Sequence, residues 1–269
     1  MQYNLICDEK LRAYWQDDLI EGSRLATALH NVFVGSRDAT LGAYHYCDNN
    51  NKQYPTINSF LESNSAVQPF DDVHSIVADV IDLVASMRPC SEAMMLHRGG
   101  RFGFDESVAK ISLERLTSTS ISKETACFFY DGVHYVIRVK AGTPVLYFGD
   151  SKIKAGFDNE VLLPPMVYKV NSNAKNNLGI RVVELESEAV LDVRSLLLGK
   201  LTRILDMYGP VEIRKQFPYI QVAGARDCVK ILGRGSLTLE TAQSIRSMKE
   251  EYYNAKSARN TARKSPGCR

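Results

Sequence analysis

The sequence has few cysteines, one tryptophan and no long apolar run, and each shortage excludes a class of protein. Its 269 residues include six cysteines, which are far apart and form no CxxC pair. Such spacing indicates neither a disulfide framework nor a metal site, so we interpret the cysteines as reduced thiols in a reducing compartment. Apolar patches such as residues 196–198 fall far short of the roughly 18 to 20 residues that span a bilayer. We therefore expect no membrane partner.

A large excess of charge of one sign is also missing. Lys and Arg number 33 against 31 Asp and Glu, which gives a net charge of +2 at pH 7. This balance argues against a nucleic-acid binder that relies on a strongly basic surface. The first residues contain no basic, apolar and small-residue series, so we expect no Sec signal. The expectation is a soluble protein with a cytosolic site of action. The absence of a Sec signal leaves two routes open, export into a host cell by a non-Sec injection machine or action inside an infected cell.

Hydrophobic periodicity divides the chain into three regions. Residues 1–70 form an N-terminal helical region, with helical spacing over 9–34 and a polar stretch at 44–65 that is expected to be a loop with a short helix. Residues 71–186 form a core that opens with a helix over 71–87. Residues 187–269 form a C-terminal helical extension, with helices over 190–207 and 238–252. A frayed basic tail is expected at its end, with Lys256, Arg259, Arg263, Lys264 and Arg269.

The core changes from helical to strand-like periodicity at about residue 93. Short strand-like runs occur at residues 93–98, 135–139, 144–148, 160–163, 167–170 and 180–185, separated by turns such as 131–132 and 141–142. No long helix is expected between these runs, whereas parallel strands need crossover connections that are usually helical. The pattern therefore predicts antiparallel pairing in an α+β protein.

Arg98 ends one of these predicted strands and is followed directly by Gly99 and Gly100. A guanidinium at that place can make a bidentate contact to phosphate, and the glycines let a ligand approach the backbone. The alternative interpretation is a surface arginine before a turn.

A run of hydroxyl side chains at residues 117–120 forms the second candidate segment. On a strand, Ser118 and Ser120 share one face and Thr119 takes the other, so the serine pair can orient a neighbouring carboxylate. The alternatives are a solvated strand, or an N-cap at Ser122 for the helix that follows.

Two carboxylates, Asp158 and Glu160, precede the apolar run 161–163. Because they are two residues apart, a strand projects both from the same face, and the apolar run anchors that strand in the core. The alternative is an acidic strand entrance without a chemical role.

Together and in this order, the three segments resemble the arginine–serine–glutamate class of mono-ADP-ribosyltransferases, which includes bacterial toxins, injected effectors and phage enzymes. The resemblance covers residues 71–186. The matching residues are Arg98 and Gly99 at the family's strand-end arginine, Ser118, Thr119 and Ser120 at its Ser-Thr-Ser strand, Ala126 and Phe129 at its small and aromatic positions, and Glu160 at its catalytic glutamate. The sequence departs from the family at Asp158, where Glu or Gln is usual, and in a short span from Arg98 to Ser118.

The resemblance implies both a fold and a reaction. The fold is α+β, with two antiparallel β-sheets packed face to face around an NAD cleft and with flanking N- and C-terminal helices. The reaction moves ADP-ribose from NAD, a co-substrate, to a protein acceptor and releases nicotinamide, without a metal. A secreted toxin or virulence effector that modifies an arginine or hydroxyl side chain of a host small GTPase, actin or ubiquitin fits this class.

The family also implies roles for the matching residues. Glu160 stabilises the positive charge that develops on the ribose when the nicotinamide bond breaks, Ser118 orients Glu160, and Arg98 grips an NAD phosphate. Phe129 either stacks on nicotinamide or lies in the core, and Asp158 meets the acceptor. The residues expected to contact NAD are Arg98, Gly99, Ser118, Thr119, Ser120, Phe129 and Glu160.

Two other functions remain open at the level of sequence. An NAD glycohydrolase would use water as the acceptor, and a catalytically inactive relative would act as a binding module. Three roles are open for the helical regions on either side of the core: they cover the NAD cleft, recognise the acceptor, or complete the core.

Overall fold

The structure is a computed structural model that describes residues 9–16, 22, 24–29, 41–47, 53–62, 72–100, 102, 107–148, 160–208 and 219–264. The chain divides into two compact units, each built from two stretches: Met1–Ala39 with Ser86–Leu191, and Thr40–Ala85 with Asp192–Arg269. The three regions expected from periodicity, 1–70, 71–186 and 187–269, do not follow these boundaries and stay a prediction for separate folding domains.

Helices and strands alternate in blocks along the chain. In chain order the elements are α1 (Glu9–Trp15), α2 (Leu41–Cys47), α3 (Gln53–Glu62), α4 (Val73–Ser86), β1 (Arg88–Pro89), β2 (Met94–Gly99), β3 (Lys110–Leu113), β4 (Thr117–Ser120), α5 (Lys123–Cys127), β5 (Val133–Val139), β6 (Pro144–Tyr147), β7 (Glu160–Leu163), β8 (Met166–Lys175), β9 (Arg181–Val190), α6 (Val193–Tyr208), α7 (Tyr219–Leu232) and α8 (Leu239–Lys264). Residues 24–29 are helical as well. All of the strands among the described residues belong to the first unit.

The strands of the first unit follow one hydrogen-bonded order, β1-β6-β7-β4-β2-β5-β9-β8-β3. Strands β2 and β4 share a single residue pair, His97 with Ser120. This junction separates the group β1, β6, β7 and β4 from the group β2, β5, β9, β8 and β3. Strands β5 and β9 run parallel, whereas the other described neighbours are antiparallel.

The predicted α+β class is confirmed, but two details of the sheet need correction. We expected two separate sheets, but the described strands form one continuous hydrogen-bonded order. The two groups of strands are joined only by the His97–Ser120 pair between β2 and β4. One pair is parallel because the chain leaves β5, passes through β6 and β7, and returns through β8 to β9. Alternation along a strand shows which residues share a face, but it does not reveal which strands become neighbours.

Alternation along β2 and β5 separates a core face from a second face. Leu96, Tyr135 and Ile137 lie on the core face and have no exposed surface. Burial of a large apolar side chain contributes about 1.5–3 kcal/mol, so this face supplies much of the stability of the unit. His97 and His134 lie on the second face, the face that also carries the hydroxyl and carboxylate segments.

The second unit is helical, and charged pairs tie its buried helix α4 to α8. Arg246 Nη2 donates to Asp79 Oδ1 at 2.8 Å and to Asp82 Oδ2 at 2.9 Å. Lys249 Nζ donates to an oxygen of Asp72 at the start of the same helix. Removing an unpaired carboxylate from water costs several kcal/mol. Arg246 and Lys249 offset this cost for the carboxylates that they contact.

The helices predicted from periodicity are found in the described residues, with two corrections. The patterns over 71–87 and 190–207 correspond to α4 and α6. Helix α7 is not among the predicted helices. It contains Gly224, where an added Cβ would come within 2.9 Å of the His74 ring. Helix α8 continues to Lys264, since no Gly or Pro stops it, so the basic residues assigned to a frayed tail are helical up to that point.

Candidate active site

Strands β4 and β7 bring the hydroxyl and acidic segments together. They pair antiparallel, with Ser120 opposite Glu160 and Ser118 opposite Leu162. Opposite residues of antiparallel strands point to the same face, with Cβ atoms about 4.5–5.5 Å apart. Glu160 is half-buried, whereas the three residues that follow it are buried. Strand β7 is thus anchored in the core, while Glu160, its first residue, stays partly exposed to solvent.

The register makes Ser120, rather than Ser118, the direct cross-strand neighbour of Glu160. Ser118 lies on the same face but diagonally, at a distance of about 7–8 Å for such neighbours. Ser120 Oγ accepts a hydrogen bond from Ser122 N at 2.9 Å. A hydroxyl that accepts in this way keeps its own proton to donate. Ser120 and Ser118 therefore differ in their distance from Glu160, which the Ser-Thr-Ser pattern alone does not show.

Thr119 lies on the opposite face of β4 and joins it to β7. Its Oγ1 donates to the Val161 carbonyl at 2.7 Å, and its side chain is only 5% exposed. Its hydroxyl is thus used to hold β7, and the expected contact of Thr119 with NAD stays a prediction.

Arg98 spans the opening between β2 and β4. Beyond the His97–Ser120 pair these strands are no longer paired, and there Arg98 Nη1 donates to the Ser118 carbonyl at 2.6 Å. The guanidinium carbon lies 4.8 Å from the centroid of the Phe102 ring, a cation–π contact. The side chain thus fixes the backbone of the hydroxyl segment. Its contact with an NAD phosphate stays a prediction.

Gly99 makes room for the turn that follows α5. A Cβ at this position would lie 2.6 Å from Tyr130 N and 2.7 Å from Phe129 C, and nearer still to the Ala126 carbonyl. The space is therefore filled by the protein's own backbone, and the expected approach of a ligand to Gly99 stays a prediction. This packing sets Phe129, whose side chain is 54% exposed, beside the end of β2.

Helix α5 begins where the sequence offered an N-cap as an alternative role. Ser122 is the N-cap, and its Oγ accepts from Thr125 N at 2.9 Å. The cap interpretation is thus confirmed for Ser122. It does not compete with a role for β4, because the cap comes two residues after Ser120.

Two histidines without a predicted role lie on the same face as Glu160. Tyr14 Oη and His134 Nδ1 are 2.6 Å apart, and His134 Nε2 and His97 Nδ1 are 3.1 Å apart. Burial, helped by the neighbouring His97 and Lys123, lowers the pKa of His134 to about 2. The available sequence signal is only that each histidine interrupts a strand, where an ionisable side chain is unusual.

The buried His134 is expected to make the protein less stable in acid. Between about pH 6.5 and about pH 2 the unfolded chain binds a proton that folded His134 does not, so the free energy of unfolding falls as pH falls, by up to about 1.4 kcal/mol per pH unit. Urea unfolding at about pH 7 and about pH 5 should show wild type losing about 2 kcal/mol more than His134→Gln. Equal losses in the two proteins would contradict the neutral, buried state of His134.

Asp158 and the loop before it, residues 149–157, lie outside the described residues, so the expected contact of Asp158 with the acceptor stays a prediction. Within the described part of the chain, no three His, Cys, Asp or Glu side chains are grouped to hold a metal. None of the helices in that part is long and apolar enough to cross a membrane.

Several solved structures, some of them of ADP-ribosyltransferases, have a similar course of the chain. They include Plx2a from Paenibacillus larvae, with a TM-score of 0.48 and 15% identity over 65% of this chain and 98% of Plx2a. C3stau2 from S. aureus, solved with NAD, has a TM-score of 0.48 and 15% identity over 64% of this chain and 96% of its own. Vis, solved with agmatine, has a TM-score of 0.48 and 12% identity over 66% and 89%.

No protein-family model and no curated protein matches this sequence. The residues of the site therefore carry the functional argument.

Proposed function

We propose that the protein is an NAD-dependent mono-ADP-ribosyltransferase that transfers ADP-ribose to a protein acceptor and releases nicotinamide. The observation that carries this proposal is the convergence of three distant segments of the chain. Arg98 Nη1 donates to the Ser118 carbonyl at 2.6 Å, and Ser120, on the same strand, lies opposite Glu160. Strands β2, β4 and β7 thus bring Arg98 to the backbone of the hydroxyl strand, and the hydroxyl strand to the carboxylate; alternation puts Arg98 on the face of Tyr135 and Glu160 on the face of Ser120.

Glu160 supplies the electrostatic part of the reaction. When the bond between nicotinamide and ribose breaks, positive charge develops on the ribose, as it does in glycoside hydrolysis. A carboxylate already in place stabilises that charge without reorganisation, and the half-buried position of Glu160 lowers its screening by water. Ser120, the direct neighbour, is assigned to orient the carboxylate, with Ser118 next to it on the same face.

Arg98 and Phe129 are assigned to hold the two ends of the substrate. The guanidinium of Arg98 is held in place by Ser118 O and the Phe102 ring, and its planar donors suit a diphosphate oxygen. The exposed ring of Phe129 offers an aromatic face for nicotinamide, since stacking buries apolar surface on both partners. These contacts fix the direction of the dinucleotide along the site.

The acceptor follows from this assignment only as a class. Asp158 is two residues before Glu160 in the sequence and is proposed to meet an arginine or hydroxyl side chain of a protein. A cytosolic host protein such as a small GTPase, actin or ubiquitin is the proposed kind of acceptor. Secretion and action inside a host cell are part of the same proposal.

Incubation with labelled NAD and a eukaryotic cell lysate tests the function directly. Wild type is expected to label one or a few protein bands, and Glu160→Gln to label none, because the variant keeps the shape of the side chain but loses its charge. Glu184→Gln is the matched control, since Glu184 is an exposed carboxylate on β9. It should label the same bands as wild type.

Each of the other outcomes assigns a different function. Free ADP-ribose without labelled bands would replace the transferase with an NAD glycohydrolase. No consumption of NAD by wild type under any condition would overturn the enzyme and leave a binding module. Mass spectrometry of a labelled band identifies the modified side chain.

A further inference from the structure

The hydrogen-bonded series Tyr14–His134–His97 has a direction. The 2.6 Å separation between Tyr14 Oη and His134 Nδ1 is typical of an O–H donor and short for an N–H donor. Burial raises the pKa of Tyr14 to about 12, so the phenol keeps its proton. The distance favours the phenol as the donor, in which case His134 accepts at Nδ1 and, as a neutral imidazole, carries its single hydrogen on Nε2.

That direction also sets the tautomer of the next histidine. His134 Nε2 lies 3.1 Å from His97 Nδ1, and a His134 that carries its hydrogen on Nε2 donates to His97. Because His97 accepts at Nδ1, its neutral ring carries the hydrogen on Nε2, and that edge points away from His134. The hydrogen bond of Tyr14, on helix α1, therefore decides which nitrogen of His97 is a donor.

His97 stands next to the reacting part of the site. It pairs directly with Ser120, and Ser120 pairs directly with Glu160, so the three side chains form one row across β2, β4 and β7. Neighbouring strands lie about 4.8 Å apart, so His97 is roughly 10 Å from the carboxylate on the same face. The row thus places His97 on the face on which Glu160 is proposed to meet NAD.

We propose that Tyr14 and His134 hold His97 as a neutral Nε2–H donor to an oxygen of bound NAD, which makes His97 a positioning residue for that substrate. The inference rests on the proposed function for the identity of the ligand. The tautomers, in contrast, belong to the protein alone. Lys123, whose Nζ lies 3.7 Å from the centroid of the Tyr14 ring, packs against the far end of the series.

Two amide substitutions separate a donor role from a merely structural one. In His97→Asn the short amide reaches the place of Nδ1 and keeps the contact with His134, but it offers no donor at the place of Nε2. In His97→Gln the longer amide reaches the place of Nε2 and restores the donor. We expect calorimetry to show NAD binding weakened about tenfold in His97→Asn and largely restored in His97→Gln, as for the loss of one hydrogen bond. The reverse order, or equal affinity in all three proteins, would overturn the donor role.

Nitrogen NMR reads the tautomers without NAD. In 15N-histidine-labelled protein, long-range 1H–15N correlations should show His97 and His134 neutral with hydrogen on Nε2, and Tyr14→Phe should convert both to mixtures. Circular dichroism checks that Tyr14→Phe remains folded. An Nδ1–H tautomer of His97 in wild type would overturn the series of donors and leave the proposed enzyme untouched. Failure of wild type to bind NAD would instead overturn the proposed function and the ligand of His97 with it.

Discussion

Glu160→Gln is expected to slow the release of nicotinamide by on the order of 10²–10³-fold. The affinity for NAD should change by less than about threefold, because the lost interaction acts on a charge that appears only in the transition state. Glutamine has the size and hydrogen-bonding reach of glutamate, so substrate contacts in the ground state are largely kept. The measurement is a pair of numbers for each protein, kcat from nicotinamide release and Kd from calorimetry with NAD.

The control for this prediction is Glu184→Gln, because Glu184 lies in the same cross-strand row as Glu160. Val136 pairs with His97 on one side and with Glu184 on the other, so both carboxylates stand in one line across the sheet. A general effect of negative charge on that line would lower kcat in both variants. A loss in Glu184→Gln as large as in Glu160→Gln, or NAD binding lost as completely as turnover, would contradict the assigned role.

The parts of the fold that the sequence predicted are those set by local patterns. The apolar run after Glu160 predicts a buried strand, and β7 is one, because alternation and burial are recorded in adjacent residues. The N-cap at Ser122 is local in the same way, since its partner Thr125 is three residues away. Helix α4 follows from apolar spacing over a continuous stretch.

The parts that sequence did not predict depend on residues far apart in the chain. Register places Ser120 opposite Glu160, and register between strands 40 residues apart is not written in either strand alone. The partnership of Tyr14 with His134 joins a helix to a strand at a sequence separation of 120. The parallel pairing of β5 with β9 is of the same kind, because it results from the path of the chain between them.

Gly99 has a packing role that the sequence pattern did not predict. The glycine after Arg98 suggested that a ligand approaches the backbone there. In the structure the backbone that approaches belongs to the turn after α5. A Cβ in that space meets peptide atoms, which cannot rotate aside as the end of a long side chain would.

Gly99→Ala is therefore expected to lower the free energy of unfolding by at least about 3 kcal/mol, a large effect for one methyl group, because it forces β2 and the turn of α5 apart. Urea unfolding measures the loss. Trp15, the only tryptophan of the chain, lies with its ring centroid 5.5 Å from that of Tyr130, so its emission should also change if the turn moves.

Gly142→Ala separates steric overlap from backbone strain. Gly142 has a φ of +83° with nothing within 4 Å of an added Cβ, so alanine there should cost only about 1–2 kcal/mol through its backbone conformation. If Gly99→Ala proved no more costly than Gly142→Ala, the contact with the α5 turn would not be a constraint. If Gly99→Ala loses more free energy of unfolding than Gly142→Ala and its folded fraction binds NAD as tightly as wild type does, Gly99 serves packing alone. If the same variant binds NAD more weakly, Gly99 also holds the turn that carries Phe129 in place for the substrate.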